Sequence, residues 1–426
     1  MDRLLLRGAR VVDPASGLDG VRDVLVAGGR IVSVAAGITE RPPVTIDLDG
    51  LVLAPGFIDM HVHLREPGQE HKETIASGCA AAAAGGFTAI ASMANTEPVN
   101  DCRAVTEMIL AEARRHGSVR VYPVGAVSKG LEGRELAPIG EMVEAGAVAV
   151  SDDGRPIEDA SLMRRALQYA RLFGIPVLAH EEDPSLVGDG VAHEGPVAAR
   201  LGLPGWPAAA EDSMIARDLL LAEDVGGRLH IQHVTTGRGL ELIRWSRARG
   251  VPVTCEVTPH HLTLTDEAIE GFGTNYKMNP PLRTEEDRRA LVGALAGGEV
   301  DAVATDHAPH HRDEKAVEFR QAPFGVVGLE TAVPVLLDRL VRTGEVPLPA
   351  LVAALSTGPA RALGVAGGRI APGEPADFTV LDLERERTVE AAGFRSRASN
   401  TPFEGWSLTG WPVMTVVAGR VIHDSR

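Results

Sequence analysis

The chain has 426 residues, 44% of them hydrophobic, with a formal net charge of −16, so it can bury a large core and little of it reads as disordered. The acidic balance argues against nucleic acid as a partner, because phosphate recognition needs a basic surface, but it leaves room for a small anionic substrate held by local arginines. No stretch reaches the roughly 20 apolar residues of a membrane span, and Leu4-Leu5-Leu6 is too short for a signal peptide. Cys79, Cys102 and Cys255 are too few and too scattered for a disulfide framework or a thiolate metal site. A reducing cytoplasm is therefore the expected compartment. Among the basic residues only Lys72, Lys129, Lys277 and Lys315 are lysines.

In chain order, residues 23–34 (DVLVAGGRIVSV) form a β-rich run interrupted at a Gly-Arg turn, which predicts a hairpin. From about residue 54 to 365 short apolar runs alternate with helical stretches. Eight such runs end near His63, Met93, Val124, Ser151, His180, His233, Val257 and Asp306. Helical patterns fill the gaps at 73–84, 104–115, 160–173, 212–224, 240–249 and 285–296. Eight strands with helical crossovers predict a (β/α)8 barrel. The absence of a Gly-x-Gly-x-x-Gly turn after any strand weighs against a doubly wound sheet. Gly367-Gly368 and Pro372-Gly373 punctuate a return to β pattern. Asp377 to Leu383 then adds a strand, and residues 413–422 (VMTVVAGRVI) add a second hairpin. The fold expected is α/β: a TIM-type barrel over 54–365, with a small β domain made of 1–53 and 366–426.

His61, His63, Asp153, His180, His233 and Asp306 all fall at or just past the end of a predicted strand. In a barrel those ends converge on the face where active sites are built. The spacing His61-Val62-His63 puts both imidazoles on one side of a strand. Any one of these histidines alone reads as packing, whereas six nitrogen and oxygen ligands at one end of five strands can hold two divalent metals.

Longer motifs carry a family resemblance. Residues 55–65 (PGFIDMHVHLR) resemble the metal-binding first strand of the amidohydrolase superfamily. Met93-Ala94-Asn95-Thr96-Glu97-Pro98 resembles a dihydroorotase segment, departing from it at Ala94, where Pro is usual. Residues 275–283 (NYKMNPPLR), 304–310 (ATDHAPH), Pro323-Phe324-Gly325 and 328–331 (GLET) are similarly close to class I dihydroorotases. The resemblance spans nearly the whole chain. It implies two Zn2+ per chain bridged by an unmodified carboxylate, Asp153, where many relatives use a carbamylated lysine; no lysine stands at the end of the fourth strand. Asp152, its neighbour, competes for that role.

The activity implied is reversible, zinc-dependent cyclisation of N-carbamoyl-L-aspartate to L-dihydroorotate, within pyrimidine biosynthesis. Asp306 would ligate a metal and carry the proton. Arg65 would pair with the substrate carboxylate, helped by Asn95 and His310. Asn279 and the backbone of Phe324 and Gly325 would hold the pyrimidine edge. The partners to expect are a homo-oligomer and an association with aspartate carbamoyltransferase. His230, His260, His261 and His307 read as packing or supporting hydrogen bonds. Two other readings remain: a hydantoinase, dihydropyrimidinase or allantoinase, which share the fold, and a non-catalytic scaffold for aspartate carbamoyltransferase, in which metal ligands are typically lost.

Overall fold

A computed structural model describes residues 3–426. Eight short parallel strands run in sequence order around the centre: β1 (Phe57–Val62), β2 (Phe87–Ser92), β3 (Arg120–Gly125), β4 (Ala149–Val150), β5 (Val177–Ala179), β6 (Leu229–Ile231), β7 (Val253–Val257) and β8 (Ala302–Val303). Closure comes just past β8, where His307 bridges Val62 in parallel and its carbonyl accepts from the His63 amide at 2.9 Å. Each of the eight sequence runs is thus a barrel strand. Helices cross between them and cover the outside, burying Leu, Val, Ile and Ala against the strands. Inside, Met60, Ala91, Met93, Val124, Ala149, Leu178 and Ala302 fill the lumen below the site. Non-aromatic side chains suit a chain with 4% aromatics and leave a packed core rather than a pore.

The helices begin and end where local chemistry requires. The Asp159 side chain accepts from the amides of Ser161 and Leu162 and starts the helix Ala160–Phe173, satisfying donors that have no partner in the first turn. Gly174, at φ 69°, stops it. Thr284 caps Glu285–Ala296 in the same way, accepting from the Asp287 amide.

Both chain ends build one second sheet, in the order 420–424, 407–417, 378–388, 52–55, 3–13, 18–27 and 30–35, with 44–47 pairing beside 3–13. The two Gly-Arg hairpins turn at Gly28-Gly29 and Ala418-Gly419. Val52–Pro55 belongs to this sheet, pairing with 378–381, and leads directly into β1. Contacts at the base of the barrel lock the two sheets together. Arg120 on β3 makes a two-pronged pair with Asp377, at 2.8 and 3.1 Å, and Asp377 also accepts from the Ala418 amide. Thr379 Oγ1 accepts from the Phe57 amide at 3.1 Å and donates to the Gly86 carbonyl. The start of β1, and so the aim of its histidines, is set by this second sheet.

Close packing also constrains the approach to β8. A Cβ on Gly358 would lie 1.7 Å from the carbonyl oxygen of Asp301, the residue before β8. Gly358→Ala should therefore destabilise the protein by about 1–3 kcal/mol. Gly293 is an exposed position in the helix Glu285–Ala296 with nothing within 4 Å of the added methyl, so Gly293→Ala should stabilise the protein by roughly 0.5–1 kcal/mol. Thermal melting of the two variants beside the parent checks both signs.

Candidate metal centre and active site

The strand ends bring the six sequence-derived ligands together at one mouth of the barrel. His61 lies on β1 and His63 just after it, while Asp153, His180, His233 and Asp306 stand one to three residues past β4, β5, β6 and β8. All six are buried. Simple alternation is not the whole reason that His61 and His63 share a side. The pairing of β1 with β2 slips between Asp59 and Val62, and such irregularities re-aim side chains next to active sites. Three non-glycine residues of the site carry positive φ: Arg65 (61°), His233 (31°) and Asp306 (48°). Strain of this kind costs of order 1–3 kcal/mol per residue and concentrates where function requires a particular aim.

Asp153 lies at the centre. Its Oδ2 is 3.3 Å from His61 Nε2 and 3.4 Å from His63 Nε2, and its Oδ1 is 3.5 Å from His180 Nδ1 and 3.6 Å from His233 Nε2. One carboxylate thus offers one oxygen to each of two histidine pairs. Asp306 Oδ1 joins the first pair, 3.0 Å from His63 Nε2 and 3.4 Å from His61 Nε2. Ligand atoms of His61, Asp153 and His233, and those of His61, His63 and Asp306, each gather within 4.8 Å of one another. His180 Nδ1 and His233 Nε2 stand 2.9 Å apart.

This arrangement fits divalent cations. His61 Nε2 and Asp153 Oδ1 are buried without a hydrogen-bond partner among the described residues, a condition native proteins rarely leave uncorrected. Imidazole nitrogens with carboxylate oxygens are a donor set suited to zinc and similar ions. The electrostatics agree. Burial opposes charge on His61, but Asp153, Asp306 and Glu256 raise its pKa well above the ordinary value. Burial opposes charge on His180 too, and Asp153 and Glu182 nonetheless raise it to about 10. Asp153, against the same burial, is held well below the usual carboxylate range by His61, His180 and His233. Metal binding at such ligands would be coupled to release of protons.

Sequence reasoning missed the acceptors that aim these ligands. His61 Nδ1 is 2.6 Å from Glu256 Oε1 on β7, and His230 Nε2 is 3.1 Å from the other oxygen. His180 Nε2 is 2.9 Å from Glu182, which also accepts from Asn279 Nδ2 at 3.0 Å. Asp59 Oδ1 accepts from the amides of His61 and Thr305, at 3.2 and 3.1 Å, tying β1 to the approach to Asp306. Such partners fix which ring nitrogen faces the metal. The available signal was a charge inside an apolar strand run: Asp59 in Phe57-Ile58-Asp59-Met60, Glu256 in Cys255-Glu256-Val257.

Asp152 is engaged elsewhere. Its Oδ1 accepts from the amides of Val127 and Ser128, at 2.8 and 2.9 Å, and its Oδ2 from the Ser128 hydroxyl. It clamps the loop after β3, whereas Asp153 faces the cluster.

A cavity of about 200 Å³ opens beside the ligands, lined by Arg65, Asn95, Asn279, Phe324 and Gly325 together with His63, Asp153 and Asp306. Arg65 is buried, donates from Nε to the Pro309 carbonyl at 3.3 Å, and has no carboxylate in ion-pair contact among the described residues. Asn95 Oδ1 is taken up by His63 Nδ1 at 2.8 Å, which leaves its amide NH2 for a ligand. Asn279 Oδ1 is buried without a partner.

Two of the residues expected to contact substrate also bond within the chain. His310 is absent from the cavity lining; its Nε2 donates to the Phe324 carbonyl at 2.7 Å, and burial together with Arg65 pulls its pKa down to about 3. The Gly325 amide is not free, since it donates to the Lys277 carbonyl at 2.9 Å. The Gly325 carbonyl accepts from Asn400, which also accepts from the His310 amide. Residues 324–325 therefore form a braced wall. Only glycine fits at 325, where φ is 115° and a Cβ would lie 2.6 Å from that of Ala308.

Asp153→Ala should abolish uptake of a second divalent ion and weaken that of the first, because it removes the oxygen facing each histidine pair. Asp152→Ala should keep its metal and lose stability instead, by about 1–3 kcal/mol, because buried amides lose their acceptor. Metal content after equilibrium dialysis, read beside thermal melting, distinguishes the two; equal metal loss in both variants contradicts the assignment.

Known proteins resemble this chain over nearly its whole length. Residues 50–238 match a family model described as dihydro-orotase-like, and residues 323–423 match one described as amidohydrolase family. The chain is 54% identical to a dihydroorotase of Anaeromyxobacter sp. (strain K), over 99% of this chain and 98% of that one. It is 51% identical to a dihydroorotase of Geobacter metallireducens, over 99% of each. Among solved structures it resembles L-hydantoinase from Arthrobacter aurescens, with a TM-score of 0.90 at 27% identity, covering 100% of this chain and 97% of that one. D-hydantoinase from Thermus sp. gives a TM-score of 0.83 at 25% identity, over 99% and 95%. With relatives more than half identical over nearly the full length, the chain belongs to the dihydroorotase family.

Proposed function

We propose that this chain closes N-carbamoyl-L-aspartate into L-dihydroorotate and reopens that ring, using two zinc ions held by His61, His63, His180, His233 and Asp306 and bridged by Asp153. The observation that carries the substrate choice is Arg65: a buried guanidinium without an acid partner, lining the cavity that the ligand cluster opens onto. A free carboxylate on the substrate satisfies it, and dihydroorotate has one that ring opening leaves untouched. Hydantoin rings lack it, so the shared fold does not decide between the two. The scaffold reading is disfavoured, since every candidate ligand is present.

Divalent cations bound there would supply a water of lowered pKa and Lewis-acid polarisation of the carbonyl under attack. The chain's own groups do the rest. Burial opposes charge on Asp306, yet His61 and His63 hold its carboxyl below the ordinary pKa, so it is ionised at neutral pH and able to accept a proton. In ring opening Asp306 takes the proton from water and passes it to the departing ring nitrogen. In closure it accepts the proton from the attacking carbamoyl nitrogen. Arg65 and the Asn95 amide hold the carboxylate, Asn279 meets the ring edge, and the 324–325 wall limits where the ring sits, so the reacting atoms arrive already oriented. The expected assembly is a homo-oligomer, with aspartate carbamoyltransferase as the partner to test.

Arg65→Met should reduce kcat/KM for dihydroorotate by at least about tenfold, the loss of one charged hydrogen bond of roughly 1.5–3 kcal/mol, and narrow the preference over hydantoin. Side-by-side turnover of both rings by parent and variant tests this; equal turnover by the parent overturns the substrate reading. Asp306→Asn should keep its fold and much of its metal while losing most turnover, because an amide cannot take the proton. Rates near the parent's at normal metal content would remove Asp306 from the proton path.

A further inference from the structure

Two of the four lysines, Lys277 and Lys315, are buried, at 2% and 6% exposure, in the segments that wall the cavity. Lys72 and Lys129 each face a glutamate, at 3.0 and 2.6 Å. Lys315 has no acid partner among the described residues. Its ammonium instead donates to three backbone carbonyls: Thr274 at 3.0 Å, Lys277 at 3.4 Å and Pro323 at 2.8 Å. Thr274 Oγ1 returns a bond to the Lys315 carbonyl at 2.7 Å. The short helix Arg312–Lys315 that carries it is anchored to the loop after β1 by the Lys72–Glu314 pair.

These three carbonyls belong to two stretches that meet the substrate cavity. The stretch 274–277 leads directly to Asn279. Pro323 immediately precedes Phe324 and Gly325, and the Gly325 amide donates to the same Lys277 carbonyl that Lys315 reaches. Lys277 adds to the seam, donating to the Arg320 carbonyl at 2.9 Å with its ammonium 4.5 Å from the centre of the Phe324 ring. Burying an unpaired ammonium is costly unless its donors are fully used, and here all three protons of Lys315 meet carbonyls.

We propose that Lys315 is a positioning residue for substrate: its ammonium, bonded to the carbonyls of Thr274, Lys277 and Pro323, holds Asn279 and the Phe324–Gly325 wall at the spacing that fits one dihydroorotate ring. This rests on the reading of those residues as substrate contacts. Lys315 touches neither the metal ligands nor Asp306, so its removal loosens ring binding in ground and transition states alike. That predicts a rise in KM with kcat preserved.

The test uses the metal-loaded full chain. Lys315→Met should raise KM for dihydroorotate by about tenfold or more, with kcat within about threefold and metal content unchanged. Lys315→Cys should show the same defect, and aminoethylation of the new thiol, which rebuilds an ammonium at nearly the same reach, should bring KM back toward the parent's; the treated parent is the control. Hydrogen exchange should speed up at 274–279 and 323–326 but not in β1–β8, a readout available even where a variant is poorly active. Unchanged KM in Lys315→Met, or metal content and kcat falling together, or no recovery on aminoethylation, overturns the proposal. Asn279→Ala separates the two levels of the argument: if it leaves KM unaltered, the substrate-contact reading fails, and if it raises KM while Lys315→Met does not, only the role of Lys315 fails.

Discussion

Crowding of ligand atoms around one carboxylate is the constraint on which the rest depends. Asp153 has four imidazole nitrogens between 3.3 and 3.6 Å from its two oxygens, in a place without solvent. A buried carboxylate and four rings at that spacing hold together only when positive charge sits among them, as protons or as metal. The raised imidazoles and depressed carboxylates are the protonic form of that balance. Metal ions in place of those protons would satisfy the same atoms.

Holding the crowd in register takes more than the barrel. Glu256, Glu182, Asn95 and Asp59 fix the outer faces of the ligands or their backbone. The second sheet grips the start of β1 through Thr379 and clamps β3 through Asp377. Asn400, from the chain's last segment before its final hairpin, braces the 308–310 and 325 backbones. Residues 378–400, far from the ligands in sequence, are thereby coupled to the shape of the cavity.

Much of this was legible beforehand, for physical reasons that can be named. Ligands at strand ends are visible because a parallel barrel places every strand's last residues on one face, so His61, His63, Asp153, His180, His233 and Asp306 needed only eight correctly placed apolar runs. The helix 160–173 was readable from its apolar pattern, and Asp159 and Gly174 bound it in the structure. Asp153 could not be separated from Asp152 by spacing; three hydrogen bonds to the β3 loop distinguish them. The segment 182–208, with strands of only two residues each, Ala192–His193 and Gly205–Trp206, supplies the Trp206 ring that meets Phe324 edge-on. Glu256 and Lys315 escaped because each acts on a residue distant in sequence. The internal hydrogen bonds of His310 and Gly325 could not be read from the sequence, because they arise only in the folded chain.

The most direct measurement of the central claim is a crystal structure of the zinc-loaded protein, prepared without added bicarbonate, with anomalous differences recorded above and below the zinc edge. Two zinc peaks on either side of an unmodified Asp153, one beside His61, His63 and Asp306 and the other beside His180 and His233, are the expected result. A single peak with Asp153 bound at one oxygen only, or a carbamylated lysine between the ions with Asp153 turned away, would contradict the account.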